Sequence, residues 1–161
     1  MRAAVLSALA VLALAHPAVA APAVSQVKVL VGKDLAEKSD TLGARELTTL
    51  SASLQRSVER RMKPTADGGT LTLVIEDAKA NHPTPQQIFD TPGLSFESFG
   101  VGGASISGEY VDPAGVRTPI AYSWYESDIR WARYGGTWRD AETAFDRLAV
   151  RLSRDQFGEA R

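Results

Sequence analysis

His82 is the only histidine beyond the first 20 residues, which makes it the first side chain to consider for catalysis. A catalytic triad would combine His82 with a serine nucleophile, Ser95 or Ser98, and an acid. Neither serine lies in a nucleophile-elbow pattern, and a chain without cysteine cannot form a His/Cys zinc site. We therefore interpret His82 as a solvated loop residue, and the sequence predicts no catalytic residue, no metal site and no cofactor.

Acidic side chains offer a second kind of chemistry. Glu109, Glu126 and Asp128 lie on or just after adjacent predicted strands, and a glycosidase needs two carboxyl groups about 5 to 10 Å apart. Glu109 alternates with Tyr110 and so faces the solvated side of its strand, where acidic residues are common. A small carboxylate-dependent hydrolase acting on envelope polymers is therefore the alternative function, not the first one.

The glycines at Gly100, Gly102 and Gly103 suggest a phosphate-binding loop. Such a loop lies between a strand and a helix N-terminus, whereas these glycines lead into a strand. We predict instead a bulge or a close approach of the backbone at this position.

Aromatic residues are concentrated in one stretch: all three tryptophans and three of the four tyrosines lie between Tyr122 and Trp138, among several arginines. Tyr, Trp and Arg are enriched at binding hot spots. Strand and helix periodicity assigns Tyr122, Trp124 and Trp138 to the core. The residues left for the surface are Tyr125, Trp131 and Tyr134.

Two irregular segments, 81–100 and 127–136, flank a predicted hairpin. Antiparallel pairing brings them to the same end of the hairpin, and loops on a rigid sheet often carry binding residues. We hypothesise a binding groove formed by three residues of each segment: Trp131, Arg133 and Tyr134, with Ile88, Phe89 and Phe96.

Periodicity predicts the elements that hold these segments. A strand covers 24–31, an amphipathic helix covers 47–62 after a polar loop, and a second strand covers 70–76. The hairpin covers 100–127 around a type I turn at Asp112 to Gly115. A last helix follows Thr137, with Asp140 in a capping-box position. The fold class is α+β, β-α-β-β-β-α, a mixed sheet of about four strands with two helices on one face.

The N-terminus has the pattern of a secretory signal peptide over 1–20: Arg2, then an apolar run, then Ala18-Val19-Ala20. We expect cleavage near Ala20/Ala21, one domain over 21–161, and no transmembrane helix in the remaining chain. The formal net charge of −1 does not indicate a nucleic acid partner. Without cysteine, neither a disulfide nor the usual lipoprotein anchor is expected.

The order of elements and the spacing of Gly100, Gly102, Gly103, Gly108 and Gly115 resemble small uncharacterised bacterial envelope domains, related in architecture to the amino-terminal domain of TolB. The resemblance covers roughly residues 24–152. It implies the fold far more than any function. The signal peptide and the lack of a catalytic or metal-ligating motif lead us to predict an exported periplasmic, noncatalytic binding or assembly-accessory domain of the cell envelope. An envelope protein or polymer is then the expected partner, and neither its identity nor the oligomeric state follows from the sequence.

Overall fold

The structure, a computed structural model, describes residues 22–157. Its centre is a four-stranded sheet in which β1 and β2 are parallel and the other neighbouring pairs are antiparallel. The strands lie side by side in chain order: β1 (Val24–Val31), β2 (Gly69–Lys79), β3 (Gly103–Val111) and β4 (Arg117–Tyr125). The predicted signal peptide and its cleavage site lie outside the described residues.

Six helices accompany the sheet within the described residues. They are α1 (Lys33–Ala36), α2 (Ser39–Leu42), α3 (Ala44–Met62), α4 (Pro85–Asp90), α5 (Ile129–Ala132) and α6 (Arg139–Leu152). The two long helices, α3 and α6, pack on each other; α3 contacts β1, and α6 contacts β3 and β4. The predicted α+β class, with a mixed sheet and two long helices on one face, is therefore confirmed.

The core lies between this helix pair and the sheet. Side chains of a strand alternate between its two faces, and on β2 Leu71, Leu73 and Ile75 are all fully buried on the helix side. Leu54 on α3 and Phe145 on α6 are fully buried in the same core. The apolar stripes predicted for both helices thus face the sheet.

The segment between β1 and α3 differs from its prediction as a polar loop. It contains α1 and α2, and Leu35 and Leu42 place their side chains in the core. A helix of four residues presents one apolar side chain per turn, so it produces no periodic signal in the sequence.

The predicted capping box at the start of the last helix is wrong. Trp138 is the N-cap of α6 and makes no side-chain capping bond. Asp140 is instead buried in contacts with other segments. A genuine capping box is found at α4, where Thr84 and Gln87 each accept a hydrogen bond from the other's backbone N–H.

The hairpin turn forms as predicted. The Gly115 N–H donates to the Asp112 carbonyl at 3.0 Å, and the Asp112 carboxylate accepts from the N–H groups of Ala114 and Val116. Gly115 has φ +86°, a left-handed conformation that glycine adopts without strain.

The face of the sheet opposite the helices carries Ser105, Ser107 and Glu109, as predicted, and all three are partly exposed. The pairing of β2 with β3 shifts register between Ile75 and Asp77. A bulge of this kind adds one residue and re-aims the side chains around it. Asp77 consequently pairs with Ser105 and lies on the same face as that serine.

Candidate binding site

One end of the sheet collects most of the exposed apolar surface. Here β2 ends, β3 begins and β4 ends, so the 80–102 loop and the segment after β4 lie together. Of the nine large apolar side chains exposed within residues 22–157, six belong to these segments, and a seventh, Tyr125, is the last residue of β4. We call this set the apolar end: Phe89, Phe96, Phe99, Tyr125, Ile129, Trp131 and Tyr134.

A buried polar network holds both segments in place. The Asn81 side-chain amide donates to the Asp140 carboxylate at 2.6 Å, and the Asp140 backbone N–H donates back to the side-chain oxygen Oδ1 of Asn81 at 2.8 Å. The same carboxylate oxygen accepts from the Gly102 N–H at 2.9 Å. Asn81 also exchanges hydrogen bonds with Gly100 through its backbone and amide. The two ends of the loop are thus fixed to the first turn of α6.

Glycine is required where the loop meets the sheet. A Cβ atom on Gly102 would lie 2.6 Å from the Lys79 carbonyl oxygen, and one on Gly103 would lie 2.5 Å from Cδ1 of Tyr125. The predicted close approach of the backbone is therefore confirmed. The missing side chain at Gly103 leaves room for the Tyr125 ring to cross β3.

Tyr125 crosses β3 to reach Asp77 on β2. Its hydroxyl donates to Asp77 at 2.8 Å, and Lys38 Nζ lies 2.8 Å from the other carboxylate oxygen. Burial by itself raises the pKa of Asp77, but the hydrogen bonds from Lys38 and Tyr125 and the Lys38 charge bring it below its usual value. Burial and then the Asp77 carboxylate raise the pKa of Tyr125 above its usual range.

This cluster borders a cavity of about 500 Å³ between α2, the end of β2 and the 80–102 loop. Its charged lining residues are Lys38, Asp77 and Lys79, with Asn81 and His82 beside them. The Asp77 charge is already paired with Lys38, and its second carboxylate oxygen accepts from the Tyr125 hydroxyl. The Asp77 carboxylate is thus paired within the protein, and the rest of the lining is a mixture of polar and apolar side chains.

His82 is not a solvated residue as the sequence predicted. Its ring is partly buried and tilted against Phe99, with 6.5 Å between the ring centroids. Nδ1 lies 3.0 Å from the Ser98 carbonyl oxygen and therefore carries the proton. Nε2 is buried without a hydrogen-bond partner within the described chain. A backbone carbonyl occupies the position that the acid of a triad would take, so the Ser-His-Asp alternative is not formed.

The six residues of the hypothesised groove are only partly brought together. Arg133 and Phe96 line one cleft of about 410 Å³, which joins the two segments as predicted. Trp131 and Tyr134 are 56% and 65% exposed, and Phe89 and Phe96 are 86% and 71% exposed. Ile88 is partly buried on α4, which packs against α2. A single groove lined by all six residues stays a prediction.

Local hydrogen bonds shape the segment that carries Trp131. Asp128 caps α5 by accepting from the Arg130 N–H at 3.0 Å. Hydrogen bonds from the Arg130 side chain and backbone hold the pKa of Asp128 below its usual value. The Arg139 guanidinium donates to the Trp131 carbonyl. These bonds restrict the backbone of α5 while its tryptophan ring remains exposed.

The carboxylates proposed for hydrolysis do not form a pair that includes Glu109. Glu109 is bound by Arg117, whose Nη1 lies 2.8 and 2.9 Å from its two oxygens. Glu126 pairs with Gly102 through its backbone, and Gly102 is seven positions from Glu109 along β3, or about 20 Å. That separation is too large for the two-carboxylate mechanism.

Within residues 22–157, no group of three or more His, Asp or Glu side chains is arranged to hold a metal ion. In the same part of the chain, no helix is long and apolar enough to cross a membrane.

No protein-family model and no curated protein matches this chain. A solved structure that resembles it is the rare lipoprotein B from Shewanella oneidensis. The similarity covers 81% of this chain and 92% of that chain, with 10% sequence identity and a TM-score of 0.37. A likeness at that level supports no functional argument, and the predicted TolB-like architecture is not confirmed by it.

Proposed function

We propose that this protein is an exported, noncatalytic binding or assembly-accessory domain of the bacterial cell envelope, and that it docks its partner through the apolar end. The single observation that carries the proposal is the concentration of exposed rings at that end of the sheet. Large apolar side chains exposed together at one place on a soluble protein are typical of an interaction site. Export rests on the signal-peptide pattern over 1–20.

The firm attachment of the loop to α6 supports a docking role. The bonds among Asn81, Gly102 and Asp140 fix the loop that carries Phe96 and Phe99 to α6. A partner that binds to a pre-ordered surface loses less conformational entropy in the complex. Exposed rings on a fixed backbone therefore favour binding over simple sealing of the core.

The chemistry of the surface defines the partner in general terms. Trp131, Tyr134 and Phe96 offer apolar area, and Arg133 offers one cation beside Phe96. The partner surface should therefore be mainly apolar with an acidic group facing Arg133. Since apolar area dominates, its affinity should depend weakly on salt.

The hydrolase alternative receives no specific support from the geometry. Glu109 is far from Glu126 and is bound by Arg117. We therefore carry forward the binding function alone.

Site-specific photo-crosslinking in living cells tests this proposal. A photoreactive phenylalanine analogue replaces Trp131 in one variant and Val116 in a matched control. Val116 is also exposed, but it lies in the hairpin turn at the opposite end of the sheet. We expect a discrete envelope product from position 131 and none from position 116. Equal products from both positions, or none from position 131, would overturn the proposal.

A further inference from the structure

β4 is an edge strand with a free side. The sheet order places β3 on one side of β4 and no strand on the other within residues 22–157. Residues of an antiparallel strand point their N–H and C=O groups alternately toward the neighbour and away from it. The direction of each β4 residue can therefore be read from its hydrogen bonds to β3.

Two backbone hydrogen bonds, one at each end of β4, show which residues point toward β3. The Asp112 N–H donates to the Val116 carbonyl, and the Glu126 N–H donates to the Gly102 carbonyl. Even-numbered residues of β4 thus pair with β3, and odd-numbered ones face the open edge. Pro119, which has no N–H, fits an outward position. Ala121 and Ser123 therefore direct their N–H and C=O groups outward, and these groups have no partner within the described chain.

A groove runs beside this open edge, on the helix side of the sheet. It has a volume of about 620 Å³ and lies between β4 and α6. Tyr122 and Trp124 form its strand side, and Thr143, Arg147 and Val150 are among its helix residues. The Arg147 guanidinium lies over the Trp124 ring, 4.2 Å from the ring centroid. An aromatic surface thus lies directly below a cation.

The charge of the groove is positive. Among residues 22–157, the one acidic residue that lines it, Asp146, is paired with Arg60 at 3.1 Å. Within residues 22–157, no carboxylate lies within 4.0 Å of Arg147. Arg147 therefore holds a charge that an acidic ligand can meet, on a ring that keeps the guanidinium in position.

We propose that the β4 edge binds an extended acidic peptide segment by strand addition, with an acidic side chain of the peptide meeting Arg147 in the groove beside α6. Ala121 and Ser123 supply the main-chain hydrogen bonds, and the groove selects the side chains. This is the general mode in which an exposed sheet edge gives affinity and adjacent pockets give specificity.

The spacing of a sheet fits this arrangement. An added strand lies about 4.8 Å from β4, and every second side chain of that strand points to the helix side. A side chain placed beside Trp124 would enter the groove below α6, where Arg147 lies. The expected peptide therefore carries an acidic residue among groove-facing residues, and no proline where its N–H must pair with β4.

This site is distinct from the apolar end, and its test is independent of that proposal. A displayed library of random eight-residue peptides is selected on the folded domain, and affinities of the winners are measured by fluorescence anisotropy. We expect enrichment of Asp or Glu at alternating positions. In NMR spectra, the amides of Ala121 and Ser123 should show exchange protection when the winning peptide is bound.

Two variants separate the backbone and charge contributions. Ser123→Pro removes the outward N–H and leaves the ladder to β3 intact, as Pro119 already does; Ser123→Thr keeps the N–H and is the matched control. Arg147→Glu reverses the charge in the groove. We expect Ser123→Pro and Arg147→Glu each to weaken binding about tenfold or more, and Ser123→Thr to leave it unchanged. Thermal unfolding confirms that each variant is folded.

Three results of the peptide experiments would overturn the proposal. They are a selection without acidic enrichment, Ser123→Pro binding as tightly as Ser123→Thr, and Arg147→Glu binding as tightly as wild type. A dimer of the domain that dissociates on Ser123→Pro in sedimentation would also overturn it, because the edge would then bind a second copy of the chain.

Discussion

Asn81 and Asp140, 59 residues apart, form a reciprocal pair of hydrogen bonds beneath the apolar end. One amide and one carboxylate thus join the end of β2 to the start of α6, and the Gly102 N–H attaches the far end of the loop to the same carboxylate. That pair therefore fixes both ends of the loop that carries Phe96 and Phe99.

Asp140→Ala should lower the free energy of unfolding by about 2 to 4 kcal/mol, because it leaves the buried Gly102 N–H without an acceptor and removes one bond of Asn81. Both bonds to Asp140 end on the same carboxylate oxygen. An asparagine can place its carbonyl oxygen there, so Asp140→Asn should cost less than half as much. Urea unfolding measures both. Equal losses for the two variants would contradict this account of the network.

The helix stripes should carry most of the core stability. Leu54 and Phe145 are fully buried between the helices and the sheet, and replacing either by alanine should cost about 2 to 5 kcal/mol. Thr48 on the exposed side of α3 is a suitable control, since Thr48→Ala should change stability by less than about 1 kcal/mol. A core variant within error of wild type would show that the helix facing is wrong.

Two glycines of the loop should differ sharply in their tolerance of a side chain. A Cβ atom on Gly103 would lie 2.4 Å from the Trp124 carbonyl oxygen, whereas one on Gly100 would have no neighbour within 4 Å. Gly103→Ala should therefore lower the melting temperature by several degrees, while Gly100→Ala should leave it nearly unchanged. Similar melting temperatures for the two variants would show that β3 and Tyr125 do not approach so closely.

The Asp77 cluster should make stability depend on pH in the acid range. Its folded pKa lies below the usual value, so its contribution is present above about pH 4 and is lost as pH falls through the folded pKa. The carboxylate is partly open to solvent, so screening keeps the effect below about 1 kcal/mol. Comparing wild type with Asp77→Asn by urea unfolding at neutral and acid pH measures it. A difference between the two proteins that grows as pH falls would contradict the sign.

The sequence predicted the elements whose periodicity is long and regular. Alternating apolar and polar residues in β2, β3 and β4 predicted the sheet and the hairpin. The apolar stripe of α3 predicted the face on which that helix packs. The short helices were missed because four to six residues are too few for a 3.6-residue period. The role of Asp140 was also missed, since an aspartate near a helix start is usually a cap, and only the fold brings Asn81 beside it.

The candidate site was predictable in composition and only partly in geometry. The alternation of side chains along β4 correctly predicted that Tyr122 is buried and Tyr125 exposed. Trp131 and Tyr134, predicted to lie at the surface, are also exposed. His82 was misjudged because its burial depends on Phe99, a contact within an irregular loop. The arginine over Trp124 was missed for a similar reason: it joins α6 to β4 across a distance that no local pattern encodes.

The most direct measurement of the central claim is the affinity of the partner captured at the apolar end for a Trp131→Ala/Tyr134→Ala variant. The control is Leu30→Ala/Val116→Ala, which removes exposed apolar side chains outside the apolar end. We predict that the first variant stays folded and binds about tenfold or more weakly, while the control binds like wild type. Undiminished binding by a folded Trp131→Ala/Tyr134→Ala variant would contradict the account.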